Sequence, residues 1–338
     1  MQVRLTPGTL AALAALVSST ACSTVGKSAD KEAATDRRVE TLDREPLGAL
    51  PPVPKLDPRA VALGRKLFDD KRLSADDTVA CASCHDLAHG GVDGLPRSRG
   101  VGGKLGTVNA PTVYNAALNF ALFWDGRAKT LEEQAAGPVA NPLEMNESWD
   151  TLVAKLKADA EYPALFAQVF KDGVTADNVR SAIATFERTL LTPDSPFDRW
   201  IRGDAQALGA EAQEGYQTFK SVGCVACHQG ANVGGNMFQR FGVMGDYFRD
   251  RGGVTEADYG RFNVTHDETD RFVFRVPSLR NVERTAPYFH DGSAKTLRQA
   301  IGVMAKYQLG RPLSDHQTTV IEAFLQSLSG PAAAGGGG

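Results

Sequence analysis

The sequence lacks the features that define several large classes of protein. It has no cluster of basic residues and carries a formal net charge of −3 over 338 residues, which argues against a nucleic-acid partner. Past the N-terminus, no apolar run approaches membrane-spanning length. Its 42% hydrophobic and 23% charged residues are typical of globular proteins, and its length leaves room for two modest domains.

Cysteine is also scarce, with five in the whole chain. Four of them fall in two short motifs of the same form, and only Cys22 stands outside these motifs. A disulfide framework would need further pairs of cysteines along the chain, so this distribution does not indicate one.

The N-terminus has the composition of an export signal. Residues 1–21 contain one arginine, no acidic residue, a short apolar run and then small residues before Cys22. We predict a signal peptide of the lipoprotein type, export to the periplasm, and a lipid on Cys22 that attaches the protein to the outer membrane. Ser19 occupies a position that is usually aliphatic in such signals, so simple cleavage and a free periplasmic protein is the alternative. Residues 22–50 are predicted to form a disordered tether, and residues 331–338 a flexible tail.

Helix signals dominate the rest of the sequence. Apolar residues recur at helical spacing in five main segments, which we predict to be helices: 57–70, 148–170 with a break near Pro163, 175–191, 209–228 and 313–330. A shorter helix is expected to stop at Gly137 and Pro138. Little β-structure is expected, and long glycine-rich loops are predicted between the helices, at 90–108, 230–263 and 285–293.

Two pentapeptides carry the strongest chemical signal. Each is a C-x-x-C-H motif, and together they consist of Cys81, Cys84, His85, Cys224, Cys227 and His228. This is the attachment motif of c-type haem, in which the two thiols add to the haem vinyl groups and the histidine becomes the proximal iron ligand. The alternative, two structural metal knuckles, would need four more nearby ligands that are not evident in the sequence. We predict two covalently bound c-type haems.

The two motifs belong to a repeat. The sequence LGRKLF precedes the first motif and EGYQTF precedes the second, and each half then continues with long loops and a further helix. This is the plan of a cytochrome c domain used twice. We predict a mainly α fold with two cytochrome c-like domains, at 51–205 and 206–330, each with one covalent haem.

The residue on the far side of each iron decides the chemistry. A methionine or histidine there favours electron transfer, whereas a vacant position admits peroxide. Met304 is favoured in the second half because it lies well beyond the haem motif and just before the last helix, where cytochrome c domains carry their distal methionine. Tyr307 is its rival, and the other candidates are Met237, Met244, His266 and His290.

The first half offers no comparable ligand. The only histidine between His85 and residue 150 is His89, which is too close in sequence to reach the opposite side of the haem. Met145 and Glu144 are the remaining candidates. A carboxylate over an open iron would act as general acid and base, taking a proton from the bound peroxide oxygen and returning one to the leaving oxygen.

Six longer motifs occur in order along residues 55–330. They are CASCHDLAHGGVDG, NAPTVYNA, FWDGRAKTLEEQAAGPVANPLEM, CVACHQG, FRVPSLRNVERTAPYFHDGS and MAKYQLG. With these motifs the chain resembles the bacterial di-haem cytochrome c peroxidases. The resemblance implies that His85 holds a low-potential peroxidatic haem in the domain at 51–205. It also implies that His228 and Met304 hold a high-potential, electron-receiving haem in the domain at 206–330.

The resemblance also implies roles for residues that carry no signal of their own. Trp124 matches a tryptophan that lies between the two haems, Glu144 matches the distal acid–base carboxylate, and Gln134 matches its polar partner. An inter-haem calcium ion is implied as well, near Asn109, Thr285 and Pro287, the last two contributing backbone oxygens.

One loop departs from the family pattern. Many relatives carry a histidine before the NAPT motif, and it caps the peroxidatic iron until the other haem is reduced. Here the loop reads RSRGVGGKLGTVNAPT and contains no histidine, and Val101 falls about where it should be. We therefore expect the peroxidatic iron to be open, or to hold only water, in the fully oxidised protein, so that reductive activation is unnecessary.

The expected reaction is the reduction of hydrogen peroxide to water. Its electrons would come from a small soluble donor, a monohaem cytochrome c or a cupredoxin. Two alternatives stay open. One is a di-haem oxidase that matures a quinone cofactor on a partner protein, which Tyr307 and the missing histidine favour. The other is a non-enzymatic di-haem electron carrier. Many relatives form homodimers, and the sequence leaves the oligomeric state of this chain open.

Overall fold

Helices joined by long loops make up the described part of the chain, residues 45–331, in this computed structural model. Within these residues there are twelve α-helices: α1 (Pro58–Asp69), α2 (Cys81–Cys84), α3 (Leu131–Ala140), α4 (Trp149–Ala158), α5 (Tyr162–Ala167), α6 (Ala176–Glu187), α7 (Pro196–Ile201), α8 (Ala210–Val222), α9 (Tyr247–Arg251), α10 (Phe262–Thr265), α11 (Leu297–Tyr307) and α12 (Asp315–Gln326). Two short strands, β1 (Phe238–Arg240) and β2 (Val273–Arg275), form an antiparallel pair. The prediction of a mainly helical fold is confirmed.

Polar side chains begin the main helices where the sequence predicts them. The side chain of Asp57 accepts the backbone N–H of Arg59 at the start of α1. At the start of α12 the Ser314 side chain accepts the backbone N–H of Gln317, and the Gln317 side chain accepts the backbone N–H of Ser314, which forms a capping box. Each cap satisfies a backbone N–H that has no partner inside the helix.

Three local expectations differ from the structure. Helix α3 does not stop at Gly137 and Pro138 but runs to Ala140, because a proline in the last turn forfeits only one backbone bond. The backbone N–H of Asn141 still reaches Gly137 O at 3.0 Å and closes the helix. The predicted break near Pro163 falls a few residues earlier, since Pro163 lies in the first turn of α5, where proline is tolerated. The segment 230–263 is not all loop, because it contains β1 and α9.

A close helix crossing explains the repeat seen in the sequence. In the first half, Gly64 of α1 lies against α6 so closely that an added Cβ would fall 2.0 Å from Ala182 O. In the second half, Gly215 of α8 lies against α12, and an added Cβ would fall 1.8 Å from Val320 O. The phenylalanine four residues after each glycine then packs edge-on or tilted against a phenylalanine of the partner helix, in the pairs Phe68–Phe186 and Phe219–Phe324. Each half is therefore built on the same contact.

The predicted tether ends earlier than residue 50. Glu45 bonds to Lys220 at 2.8 Å and to the Tyr216 hydroxyl at 2.7 Å. Leu47 and Leu50 are buried. Residues 45–50 are thus packed against the second half, and for them the prediction of a disordered tether is wrong. The short-range composition of this segment gave no sign of these distant partners.

Several predicted segments lie outside the described residues. These are the signal peptide, Cys22, residues 22–44 of the tether and residues 332–338 of the tail. Within residues 45–331, none of the helices has both the length and the apolar character needed to cross a bilayer.

The glycine crossings predict a large difference between two Gly→Ala substitutions. Gly215→Ala should lower the free energy of unfolding by about 1–3 kcal/mol, because its Cβ meets the α12 backbone. Gly302→Ala, in an exposed part of α11 with no atom within 4 Å of the new Cβ, should raise it by about 0.5–1 kcal/mol. Chemical denaturation followed by circular dichroism measures both values. Equal stability of the two variants would show that α8 and α12 do not meet this closely.

Candidate haem sites and active site

The first C-x-x-C-H motif forms one short helical turn. Cys81 and Cys84 begin and end α2, and the backbone N–H of His85 reaches back to Cys81 O at 2.9 Å. The His85 Nδ1 lies 3.3 Å from Gly91 O, so that Nδ1 carries the proton and Nε2 is left for a metal. Burial lowers the pKa of His85, which keeps the imidazole neutral as iron ligation requires.

The second motif repeats this arrangement. Cys224 begins a 3-10 turn directly after α8, and the Nδ1 of His228 lies 3.4 Å from Val233 O. Burial lowers the pKa of His228 to about 4. In both halves, therefore, a neutral histidine is oriented by a backbone carbonyl a few residues further on.

The cysteines of the two motifs form no disulfide with one another. All four cysteines within residues 45–331 are free. Burial raises the pKa of Cys81 to about 12, that of Cys84 to about 11 and that of Cys224 to about 12, so these thiols are neutral at pH 7. The only cluster of three potential metal-binding side chains in this part of the chain contains no cysteine. The lack of a third ligand beside either pair of cysteines, within residues 45–331, disfavours the alternative of structural metal knuckles.

A cavity of about 420 Å³ opens beside the second motif. Cys224, Cys227 and His228 all line it, and Met304 on α11 lines it too. Most of the other lining side chains are apolar or aromatic. A site with two thiols, one neutral imidazole and one thioether in an apolar wall fits a c-type haem with His and Met ligands.

The geometry separates Met304 from the other candidates for the distal position. Tyr307 does not line the cavity, and its hydroxyl donates to Asp250 Oδ2 at 3.2 Å. His290 lines the cavity, but its Nε2 is held 2.7 Å from Asp258 Oδ1. The remaining candidates Met237, Met244 and His266 do not reach this cavity.

In the first half, the structure places the half-buried Glu144 near the first motif. Burial raises the pKa of Glu144, and the hydrogen bond from Asn141 Nδ2, 2.6 Å from Glu144 Oε1, opposes this rise. The Glu144 charge in turn helps to raise the pKa of Cys84, after the larger effect of burial, so the two groups lie within electrostatic reach. Glu144 is therefore a carboxyl that can exchange a proton closer to neutral pH than an exposed one.

Gln134 belongs to the same unit as Glu144. It lies on α3, and the chain after α3 folds back onto the end of that helix, where Met145 N–H donates to Pro138 O at 3.1 Å. The Gln134 side chain is half-buried and makes no hydrogen bond with any of residues 45–331. Its amide is therefore available to a ligand.

The loop that lacks a histidine packs against Glu144. Val101 is 6% exposed, belongs to the apolar core of the first half, and donates its N–H to Glu144 O at 2.8 Å. His89, the only other histidine of this half besides His85, has a side chain that is 79% exposed and lies 2.6 Å from Asp86. Neither Val101 nor His89 supplies a second histidine ligand at the site of the first motif.

Trp124 lies in the wall of the cavity beside the second motif, although it belongs to the first half of the sequence. Its Nε1–H donates to Asn109 O at 2.9 Å, and its ring is edge-on to His290. Asp125 and Arg127 form a 2.7 Å ion pair directly after it. The hydrogen bond to Asn109 therefore fixes the indole, and the ion pair fixes the backbone that follows it.

The three residues implied for calcium line the same cavity. They are Asn109, Thr285 and Pro287. Within residues 45–331, no hydrogen bond is donated to Asn109 Oδ1 or to the carbonyls of Thr285 and Pro287. Oxygens without a hydrogen-bond donor suit a hard cation.

Sequence reasoning missed two buried groups at this cavity. Arg275 lines it, and Asp258 holds His290 behind it. Arg275 falls in the motif FRVPSLRNVERTAPYFHDGS, but its place there indicates no role for it, and an aspartate in a loop is common in any sequence. Their importance appears only when distant parts of the chain are brought together.

Comparison with known proteins supports these assignments at the level of the family. Residues 58–206 match the family model described as di-haem cytochrome c peroxidase. Over 287 residues the chain is 49% identical to the cytochrome c peroxidase Ccp of Escherichia coli, covering 85% of this chain but 61% of the relative. The chain thus spans less than two thirds of that relative. It is 45% identical to the cytochrome c551 peroxidase of Nitrosomonas europaea, covering 85% of this chain and 84% of the relative.

A solved structure agrees with the sequence comparison. The crystal structure of a MauG-like protein associated with microbial copper homeostasis matches with a TM-score of 0.72 and 29% identity, over 85% of this chain and 93% of that one. The sequence identities of 49% and 45% to the two named peroxidases are higher than the 29% identity to this MauG-like protein. The chain belongs to the di-haem cytochrome c peroxidase family.

Proposed function

We propose that this protein reduces hydrogen peroxide to two waters with two protons and two electrons from a small soluble donor, a cytochrome c or a cupredoxin. The observation that carries the proposal is the difference between the two halves. The first half holds Glu144, a half-buried carboxyl with a raised pKa, and within residues 45–150 its only histidine besides His85 is the exposed His89, whereas the second half adds Met304 to the same cavity as His228.

Two c-type haems would be held by the residues of the two motifs. Cys81, Cys84 and His85 would bind one, and Cys224, Cys227, His228 and Met304 would bind the other. When bound, they supply one iron that takes peroxide and one that relays electrons. Side chains of this chain would carry out the remaining steps.

Glu144 performs the proton transfer in this proposal. As a carboxylate it accepts the proton of the peroxide oxygen, and as a carboxylic acid it donates that proton to the departing oxygen. Burial favours its protonated form and Asn141 Nδ2 favours its ionised form, so both forms are accessible. The Gln134 amide, which has no partner within residues 45–331, would orient the peroxide by a hydrogen bond.

Trp124 would assist electron transfer between the two sites. Its indole lies in the wall of the electron-receiving cavity, while the chain on either side of it belongs to the peroxidatic half. The bond to Asn109 O and the ion pair of Asp125 with Arg127 keep the ring in one position. Since Asn109, Thr285 and Pro287 face the same cavity, a calcium ion bound there would hold the two halves in register.

Location and attachment extend the proposal beyond the described residues. The composition of residues 1–21 supports export to the periplasm, where C-x-x-C-H motifs receive haem, and Cys22 would carry a lipid. This placement would bring the enzyme to peroxide and to small soluble electron donors.

The alternative of a cofactor-maturing oxidase receives less support. It depends on a tyrosine at the second iron, and Tyr307 instead packs among aromatic residues with its hydroxyl on Asp250. The alternative of a simple electron carrier requires a sixth ligand at both irons. Within residues 45–150 no second histidine approaches the first site, because His89 is exposed.

Glu144→Gln should abolish most peroxide turnover. The substitution keeps the size of the side chain and removes its proton transfer, so kcat/KM should fall by about 10²–10⁴-fold. Steady-state oxidation of a reduced cytochrome c measures the effect. Glu211→Gln, the same change at an exposed carboxylate, is the matched control and should keep wild-type turnover. Near-normal turnover of Glu144→Gln with both haems attached would refute the role of Glu144.

The missing histidine predicts that the oxidised protein binds a ligand without prior reduction. We expect one equivalent of cyanide per chain in an untreated oxidised sample, since one site is open and the other is closed by Met304. A titration followed in the Soret band measures this stoichiometry. If cyanide binds only after partial reduction, another group must cap the first iron.

The same cyanide titration shows whether Met304 or Tyr307 is the distal ligand at the second site. Met304→Ala should raise the cyanide stoichiometry to two equivalents per chain, because it removes the distal thioether. Tyr307→Phe should leave it at one, because Tyr307 does not line the cavity. Met244→Ala, at a methionine that is 62% exposed, is the matched control and should also leave it at one. The opposite pattern would assign the distal position to Tyr307.

A further inference from the structure

A buried arginine lines the cavity of the second motif without a counter-ion. Arg275, the last residue of β2, is 3% exposed and lines the same cavity as His228. Its Nε donates to Phe123 O at 3.2 Å, and its backbone N–H donates to Trp124 O at 2.9 Å. Its Nη1 is buried and has no hydrogen-bond partner.

The described part of the chain does not balance the charge of Arg275. No carboxylate within residues 45–331 lies within ion-pair distance of it, and burial alone lowers its pKa to about 10. It is therefore still a cation at pH 7. The residues that line the cavity include no aspartate, glutamate or lysine, so Arg275 is the only lining residue with a permanent charge. A buried, unpaired charge costs several kcal/mol, and proteins rarely leave one unmatched.

A second buried arginine shows how the same fold treats a structural cation. Arg280 lies five residues further on, is 1% exposed, and forms a 2.9 Å ion pair with the buried Asp198. Its Nε donates to Ala231 O and its Nη2 also donates to Gly48 O, both at 2.8 Å. Asp198 of this chain balances the charge of Arg280, whereas no carboxylate within residues 45–331 balances that of Arg275.

We propose that Arg275 pairs with a propionate carboxylate of the haem that His228 would hold. The inference rests on the proposed haem at this site. Haem carries two carboxylates, and a guanidinium binds a carboxylate with two parallel hydrogen bonds. Because Arg275 also holds the carbonyls of Phe123 and Trp124, the pair would connect the haem edge to the loop that carries Trp124. Arg275 is in this sense a positioning residue for the electron path, and its charge sets the haem potential.

The test uses the holoenzyme and three variants. Arg275→Gln removes the charge, Arg275→Lys keeps it, and Arg280→Lys is the matched control at a buried arginine that has its own carboxylate. A cation beside the haem favours the reduced iron. Arg275→Gln should therefore shift the oxidation equilibrium of the high-potential haem about tenfold towards the oxidised form, which is about 59 mV for a one-electron couple. Arg275→Lys should give a smaller shift, and Arg280→Lys should lower stability without moving the potential.

Haem content and a holoenzyme crystal structure make the outcome decisive. A haemochrome assay should find two haems per chain in every folded sample, and a structure should place a propionate oxygen within 4 Å of the Arg275 guanidinium. An unchanged potential in Arg275→Gln, or a holoenzyme in which both propionates lie away from Arg275, overturns the inference while the peroxidase assignment stands. A wild-type protein without attached haem would instead overturn the proposed function. If Arg275→Gln does not fold, the Arg275→Lys potential and the structure decide.

Discussion

The contact on which the rest of the structure depends is a helix crossing with a glycine at its centre, used once in each half. Gly64 meets the backbone of Ala182, and Gly215 meets that of Val320. A side chain at either glycine would push the helices apart. In the second half the helix that carries the glycine, α8, ends at Val222, next to the C-x-x-C-H motif, whereas in the first half a 3-10 turn and a loop separate α1 from the motif. In each half the crossing holds the helix that precedes the two thiols and the histidine.

The two halves share this frame and differ in what surrounds the histidine. Beside His228 the cavity is apolar, Met304 is in its wall, and the permanent charge is a cation. Near the first motif the distinctive group is Glu144, a half-buried acid whose side chain accepts a hydrogen bond from Asn141 Nδ2. A neutral thioether favours an iron that only exchanges electrons, whereas an acid suits an iron whose ligand must gain and lose protons. One fold thus supports a division of labour through a few side chains on its loops.

Short-range patterns predicted what depends on neighbours in sequence. Both attachment motifs, the helix starts at Asp57 and Ser314, and the LGRKLF–EGYQTF repeat were visible because each is a local arrangement. Three other features could not be predicted, because each depends on residues far away in the chain. They are the ion pair of Glu45 with Lys220, the hydrogen bond of the Tyr307 hydroxyl to Asp250, and the unpartnered Nη1 of Arg275. Gln134 and Trp124 were proposed only through family resemblance, because an amide and an indole carry no meaning by spacing alone. Glu144 was already a candidate from the sequence itself, but only the resemblance favoured it over Met145.

The buried charges of this protein show why Arg275 in particular requires an external partner. Glu187 is also buried, and its Oε2 has no hydrogen-bond partner, but burial raises its pKa to about 8. An isolated carboxyl can avoid the cost of burial by taking up a proton, so Glu187 is neutral at pH 7. An arginine whose pKa is lowered only to about 10 cannot lose its proton at that pH. The cost of burying Arg275 therefore persists until an anion enters the cavity, and a haem propionate would supply that anion together with the cofactor itself.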